Sequence, residues 1–196
     1  MIQLAKKLEL RSFNINNMQT RTLNDGSEAT VVEGYASVFN SRTNIDGWYD
    51  EEIAPGAFTE SLSQNKDVRC LFNHDWGCVL GRTSANTLVL EQDSKGLRFE
   101  VTLPNTTFAN DLKESMSRGD INQCSFGFWV TGQEEDFSGD TPLIRITNVE
   151  LWEVSIVPLP AYEDTEAALR SKFQEQNIET IKLRQKILKT IGDYKL

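Results

Sequence analysis

Histidine is nearly absent: His74 is the single imidazole in 196 residues. That excludes zinc sites built on several histidines and routes any histidine chemistry through one position. Cysteine is also scarce. Cys70, Cys78 and Cys124 cannot form a fully paired disulfide framework, and their scatter suits a reducing compartment. Basic residues are outnumbered, 20 Lys and Arg against 29 Asp and Glu, for a net charge of −9. The basic footprint that a chain needs to grip nucleic acid is missing. No stretch approaches the ~20 apolar residues of a membrane span. The opening MIQLAKKLELRSF lacks the apolar run of a signal peptide. There is no G-x-S-x-G nucleophile elbow, and no P-loop or dinucleotide fingerprint that would call for a nucleotide cofactor. The absences together predict a soluble, cytoplasmic protein with no nucleic-acid or membrane partner.

What is present supports a packed domain. Hydrophobic residues make up 39 % of the chain, enough for a core. From Arg11 to Asn40 the pattern is β, broken by turn signals at Asn16-Asn17 and Asn24–Ser27, and Thr30–Phe39 alternates as a strand. Residues 40–50 read as a loop, with Asp50, Glu51 and Glu52 as a solvated acidic cluster. A short helix is expected at Ala57–Ser63, and Val68–Asn73 is a short buried strand that delivers His74 to a loop. Thr87–Leu103 reads as a hairpin turning at Asp93–Gly96. In its second arm Leu97, Phe99, Val101 and Leu103 point one way. Thr106–Arg118 has Phe108, Leu112 and Met116 at helical spacing, with Gly119 as a stop. Cys124–Val130 is a strand, an acidic, glycine-containing turn is expected at Glu134–Asp140, and Leu143–Val157 is a long strand or a bent pair. The class is α+β, mainly β.

Composition divides the chain as 1–29 (a leader and first strand region), 30–168 (the main domain) and 169–196 (a tail). Residues 166–196 carry seven Lys or Arg and four Asp or Glu, a net +3, which leaves −12 for the rest. Ile181, Leu188 and Ile191 recur in the tail at helical spacing, as an amphipathic helix would place them.

Four residues could carry chemistry. His74 ends an apolar strand, where an imidazole is both fixed and accessible, and its ordinary pKa near ~6.5 suits a general base. Ser125 lies on the strand face opposite Cys124, Phe126, Phe128 and Val130, which should enter the core. Gly127 shares that face and leaves the surface beside Ser125 open to another backbone. Glu150 and Glu153 lie in a strand among apolar neighbours, where a carboxylate needs a partner. Strict alternation places Val149, Leu151, Glu153, Ser155 and Val157 on one face. One glutamate could orient His74, or form a structural ion pair. Weaker constellations are Cys70-x3-His74-x3-Cys78, which mimics a metal spacing without a fourth ligand, and Cys124 as a Cys–His nucleophile. Alternation turns Cys124 inward.

Several segments together resemble the prohead protease family of tailed bacteriophages. They are Glu33–Asn40, Glu51–Phe58, Phe72–Thr83, the helix preceding Ser125–Phe128, and Leu151–Ala167. The resemblance runs from about Val32 to Ala168. It makes 30–168 a prohead serine protease domain and implies a herpesvirus-protease-like β-barrel with surrounding helices, followed by a helical C-terminal tail. It implies a serine nucleophile at Ser125, from the family's SFGF motif, and a histidine base at His74, from its NHD motif. The acid of its EVS motif falls on Glu153. The herpesvirus relatives use a second histidine as third member. This chain has none, so Glu153 takes that place, with Glu150 and Asp75 as reserves, or the site is a dyad. The arginine region that follows the third residue in those relatives has no counterpart in 158–164.

The resemblance further implies a serine endopeptidase with neither metal nor cofactor, acting inside the prohead in the host cytoplasm. Its partners would be scaffold protein or a scaffolding segment of the major capsid protein, and the chain itself through autocleavage. Herpesvirus relatives require dimerisation, which admits a homo-oligomer. The basic tail would be a capsid-targeting or autocleaved arm. The rival readings are a non-enzymatic capsid-associated scaffolding module that keeps the fold, and a hydrolase using Cys124.

Overall fold

The computed structural model describes residues 9–22, 28–45, 47–64, 66–158 and 186. The tail expected as a helix and the turn signal at Asn24–Ser27 lie outside these residues, Lys186 excepted. The elements bounded among the described residues are, in chain order, β1 Glu9–Thr22, β2 Glu28–Val38, β3 Thr43–Ile45, β4 Tyr49–Ile53, α1 Thr59–Ser63, β5 Arg69–Phe72, β6 Asp75–Arg82, a 3₁₀ turn at Thr83–Ala85, β7 Leu88–Gln92, β8 Gly96–Thr102, α2 Thr107–Ser117, β9 Gln123–Asp136 and β10 Leu143–Val157. The α+β, mainly β class expected from the sequence is what these elements form.

The strands pair in the order β3-β4-β10-β9-β1-β2-β8-β7, with β5 on β10 and β6 on β5. No pairing closes this path among the described residues. β1 joins the two halves: its first part pairs with β9 and its second with β2. The changeover carries a register shift between Ile15 and Asn17. The Asn16-Asn17 signal therefore marks a β-bulge, where the strand bends, and the chain does not turn back.

β10 is the central strand. One edge pairs antiparallel with β9, and the other pairs in parallel with β4 and then β5. The gap between β4 and β5 is bridged by the segment leading into α1. Ala54 N–H donates to Ile146 O, Val149 N–H donates to Ala57 O, and Leu151 N–H donates to Ser61 Oγ. The buried backbone of β10 is thus satisfied where no strand reaches it.

Alternation fills one core from both halves. Val32, Leu97, Phe99 and Val101 meet Phe58, Phe126, Phe128, Val154 and Ile156, all at most 2 % exposed. Phe126 stacks on Phe128 with ring centroids 4.7 Å apart and meets Phe58 edge-on at 5.7 Å. Truncation of such a ring to alanine costs about 3–5 kcal/mol. Gly81 lets β6 approach the other half, because a Cβ there would lie 2.7 Å from Val101 Cγ2.

Two expectations are corrected. The acidic cluster is not a solvated loop. Asp50, Glu51 and Glu52 lie in β4, and Glu51 and Glu52 are 7 % and 6 % exposed. Glu52 tolerates burial because Arg145 (3.0 Å) and Arg42 (3.3 Å) neutralise it. Nor does His74 open a loop, since strand β6 begins at the next residue.

Candidate active site

β5 and β6 are joined by Asn73 and His74 alone, between paired Phe72 and Asp75. Both residues have positive φ, +52° and +59°. That conformation defines a two-residue type I′ turn, the connection whose twist matches a hairpin. Asparagine is favoured at its first position. The second is ordinarily glycine, and here it is histidine, in the left-handed region at a local cost. Asn73 N–H donates to Ile156 O (2.9 Å), which anchors the turn to the end of β10. The His74 side chain remains 22 % exposed.

Glu153 meets His74 from β10. His74 Nδ1 lies 2.8 Å from Glu153 Oε1. The carboxylate is 1 % exposed and both its oxygens are engaged, since the Ser155 hydroxyl donates to Oε2 at 2.5 Å. Ser155 Oγ also accepts the backbone N–H of His74 at 3.2 Å. An ionised carboxylate only accepts hydrogen bonds, so the geometry places the proton on His74 Nδ1 and leaves Nε2 free to accept.

The position of Glu153 depends on a β-bulge that alternation hides. Phe128 pairs with Leu151 and Gly127 with Glu153, so Trp152 is one extra residue on β10. Leu151 and Val154 consequently both enter the core. The expected continuous face from Val149 to Val157 is broken there, and Glu153 and Ser155 move to the face opposite the core. Trp152 stays 37 % exposed and packs on Trp129, with ring centroids 4.5 Å apart.

Directly opposed residues of antiparallel strands share a face. Ser155 pairs with Ser125 and Glu153 with Gly127, so all four lie together. The space above Gly127 is not open to another backbone, as expected from the sequence, but holds the Glu153 carboxylate. A Cβ on Gly127 would lie 2.5 Å from Oε1. Ser125 sits on an inner strand, between Ser155 of β10 and Ser12 of β1 in register, and is fully buried. Its Oγ has no hydrogen-bond partner.

The other candidates lie elsewhere. Glu150 pairs with Lys66 Nζ at 2.5 Å. Asp75 Oδ1 accepts Gly77 N–H within its own strand, and Asp75 Oδ2 accepts from the Cys78 thiol at 3.6 Å. Cys124 faces the core and its thiol donates to Tyr35 O at 3.3 Å. Cys70 is fully buried. Burial, with the Glu153 charge adding to it, pushes its thiol well above the ordinary range and keeps it protonated. Among the described residues no three His, Cys, Asp or Glu side chains converge as metal ligands would. Sequence reasoning misses Ser155, and it reads Gly127 as open space beside Ser125 rather than as the floor beneath Glu153. The EVS tripeptide held the signal for Ser155, a hydroxyl two residues from the acid on the same strand face.

The caudovirus prohead serine protease family profile matches residues 16–182. The capsid assembly protease of bacteriophage T4 has a similar structure. The TM-score is 0.58 at 9 % identity, over 77 % of this chain and 96 % of that one. No curated protein sequence matches the chain.

Proposed function

This chain belongs to the caudovirus prohead serine protease family and is a serine protease of capsid maturation, and from that premise we propose that Ser125 is its nucleophile, His74 its general base and Glu153 the acid that orients the base. The observation that carries this reading is the 2.8 Å His74 Nδ1–Glu153 Oε1 contact on the same sheet face as the unpartnered Ser125 hydroxyl.

His74 Nε2 takes the Ser125 proton as Oγ attacks the scissile carbonyl, then passes it to the departing amine. A water, deprotonated in the same way, releases the acyl group from Ser125. Glu153 fixes the tautomer and stabilises the imidazolium formed in each half-reaction. Ser125 Oγ makes no hydrogen bond in the free chain. The mechanism therefore requires the Ser125–His74 bond to form with substrate in place, as catalytic hydrogen bonds commonly do.

The substrates in this reading are scaffold protein or the scaffolding segment of the major capsid protein, and the chain itself, inside the prohead. Family membership supports it. The herpesvirus-type barrel belongs to the same reading, supported by the approach of β6 to β8 at Gly81. Co-expression with the capsid and scaffold proteins of its own phage tests it. Ser125→Ala and His74→Ala should each abolish their cleavage while circular dichroism and melting stay native. Continued cleavage by either variant would overturn the assignment.

A further inference from the structure

Beyond the three residues of the proposed mechanism, on which this inference rests, we propose that Ser155 is a positioning residue that locks acid and base together. Its single oxygen makes two contacts that converge on the site. The hydroxyl proton goes to Glu153 Oε2 (2.5 Å), and a lone pair takes the backbone N–H of His74 (3.2 Å). Ser155 is fully buried, so water cannot replace it at either partner.

The consequences follow from the two ends. Glu153 has two oxygens, and only one faces His74. Without a donor on Oε2, the carboxylate can rotate about its terminal torsion, which is broad and roughly two-fold. Oε1 would then leave Nδ1. His74 sits at positive φ in a turn position that glycine ordinarily fills. The Ser155 contact and the Asn73–Ile156 bond hold that turn against β10. One side chain thus sets where the carboxylate points and where the imidazole is presented. It lies directly across from Ser125 in the β9–β10 register, so any error in its placement is felt at the nucleophile. Glu153 Oε1 rests above Gly127, and Cys70 and Arg69 flank Glu153 from β5. None of these supplies a hydrogen bond to Oε2, which leaves Ser155 as its donor.

The single histidine makes the test direct. In untagged, histidine-labelled protein every imidazole NMR signal belongs to His74. The wild type should show a downfield Nδ1–H proton and the Nδ1–H tautomer. Ser155→Ala should lower kcat by about 10²-fold, the cost of a misplacement of roughly 1 Å among reacting groups, with KM near the wild-type value. It should also lose or shift the downfield proton. Ser155→Thr keeps the hydroxyl and should restore both readouts. If Ser155→Ala does not fold, Ser155→Cys takes its place, because a thiol is a weak donor. It should lose the signal and turnover that Ser155→Thr retains. Wild-type kcat and an unchanged imidazole spectrum in the alanine or cysteine variant would overturn the proposal. So would a threonine variant as impaired as alanine, or a loss confined to KM. Ser125→Ala is measured alongside. Cleavage by that variant would refute the nucleophile assignment, whereas an inactive Ser125→Ala with a fully active Ser155→Ala would refute only the role of Ser155.

Discussion

Replacing Gly127 by alanine adds one carbon beneath the Glu153 carboxylate. That carbon would lie 2.5 Å from Oε1 and 3.2 Å from both Cδ and Cγ. Carbon contacts become comfortable near about 3.5 Å, so Oε1 must retreat by roughly 1 Å. It cannot swing freely, because Oε2 is held by Ser155. A retreat of that size stretches the 2.8 Å bond to His74 towards or past the ~3.5 Å limit of a hydrogen bond. A misplacement of this order near reacting groups costs about 10²-fold in rate, and loss of the orienting acid about 10⁴-fold. The kcat of Gly127→Ala should fall between these bounds. Overpacking should cost about 1–3 kcal/mol of stability, and each kcal/mol lowers Tm by about 2–4 °C in a chain of this size. Purified variants are assayed on a capsid-derived peptide by mass spectrometry, with melting followed by circular dichroism. Gly139→Ala is the control, since its nearest contact would be 3.5 Å. A folded Gly127→Ala with wild-type turnover would refute the placement of Glu153 over Gly127.

Other expectations follow from the same geometry. Glu153→Gln should slow cleavage strongly while Glu150→Gln, whose partner is Lys66, leaves it near wild type. The reverse pattern in a kinetic assay would move the acid role to Glu150. Asn73→Gly should be tolerated in the left-handed turn, whereas Asn73→Val should cost about 1–2 kcal/mol and lower turnover with it, as melting and rate measurements on the two variants would reveal. The hydrogen bond from Arg82 holds the Asp67 carboxyl well below the usual carboxylate range. A depressed folded pKa gives stability that is fully present above the unfolded value near ~3.9 and lost as pH falls through the folded one. The melting difference between wild type and Asp67→Asn should therefore shrink on acidification; a difference that grows would contradict the ion pair.

Much of the fold was legible because it is local. Alternation in Leu97, Phe99 and Val101 and in Cys124, Phe126 and Phe128 identified core faces that the structure keeps. The spacing of Phe108, Leu112 and Met116 located α2 to within a residue at each end. The features that were not legible depend on partners distant in sequence. β4 looked like an acidic loop because its burial relies on Arg42 and Arg145. β9 continues through exposed Glu134–Asp136 because β10 pairs with it there, not because those residues favour strands. The bulge at Trp152 was invisible for a related reason. Leu151-Trp152-Glu153-Val154 alternates acceptably in either phase, and only the register against Phe128 and Gly127 reveals the extra residue. The same shift carries Glu153 from the expected face to the one where His74 waits.

The most direct measurement of the central claim is peptide mapping after reaction with a serine-directed fluorophosphonate, in the presence of the capsid protein of the same phage. The mechanism predicts one adduct, on Ser125, that disappears in His74→Ala and weakens in Glu153→Gln. An adduct on another residue, or equal labelling of Ser125 without His74, would contradict it.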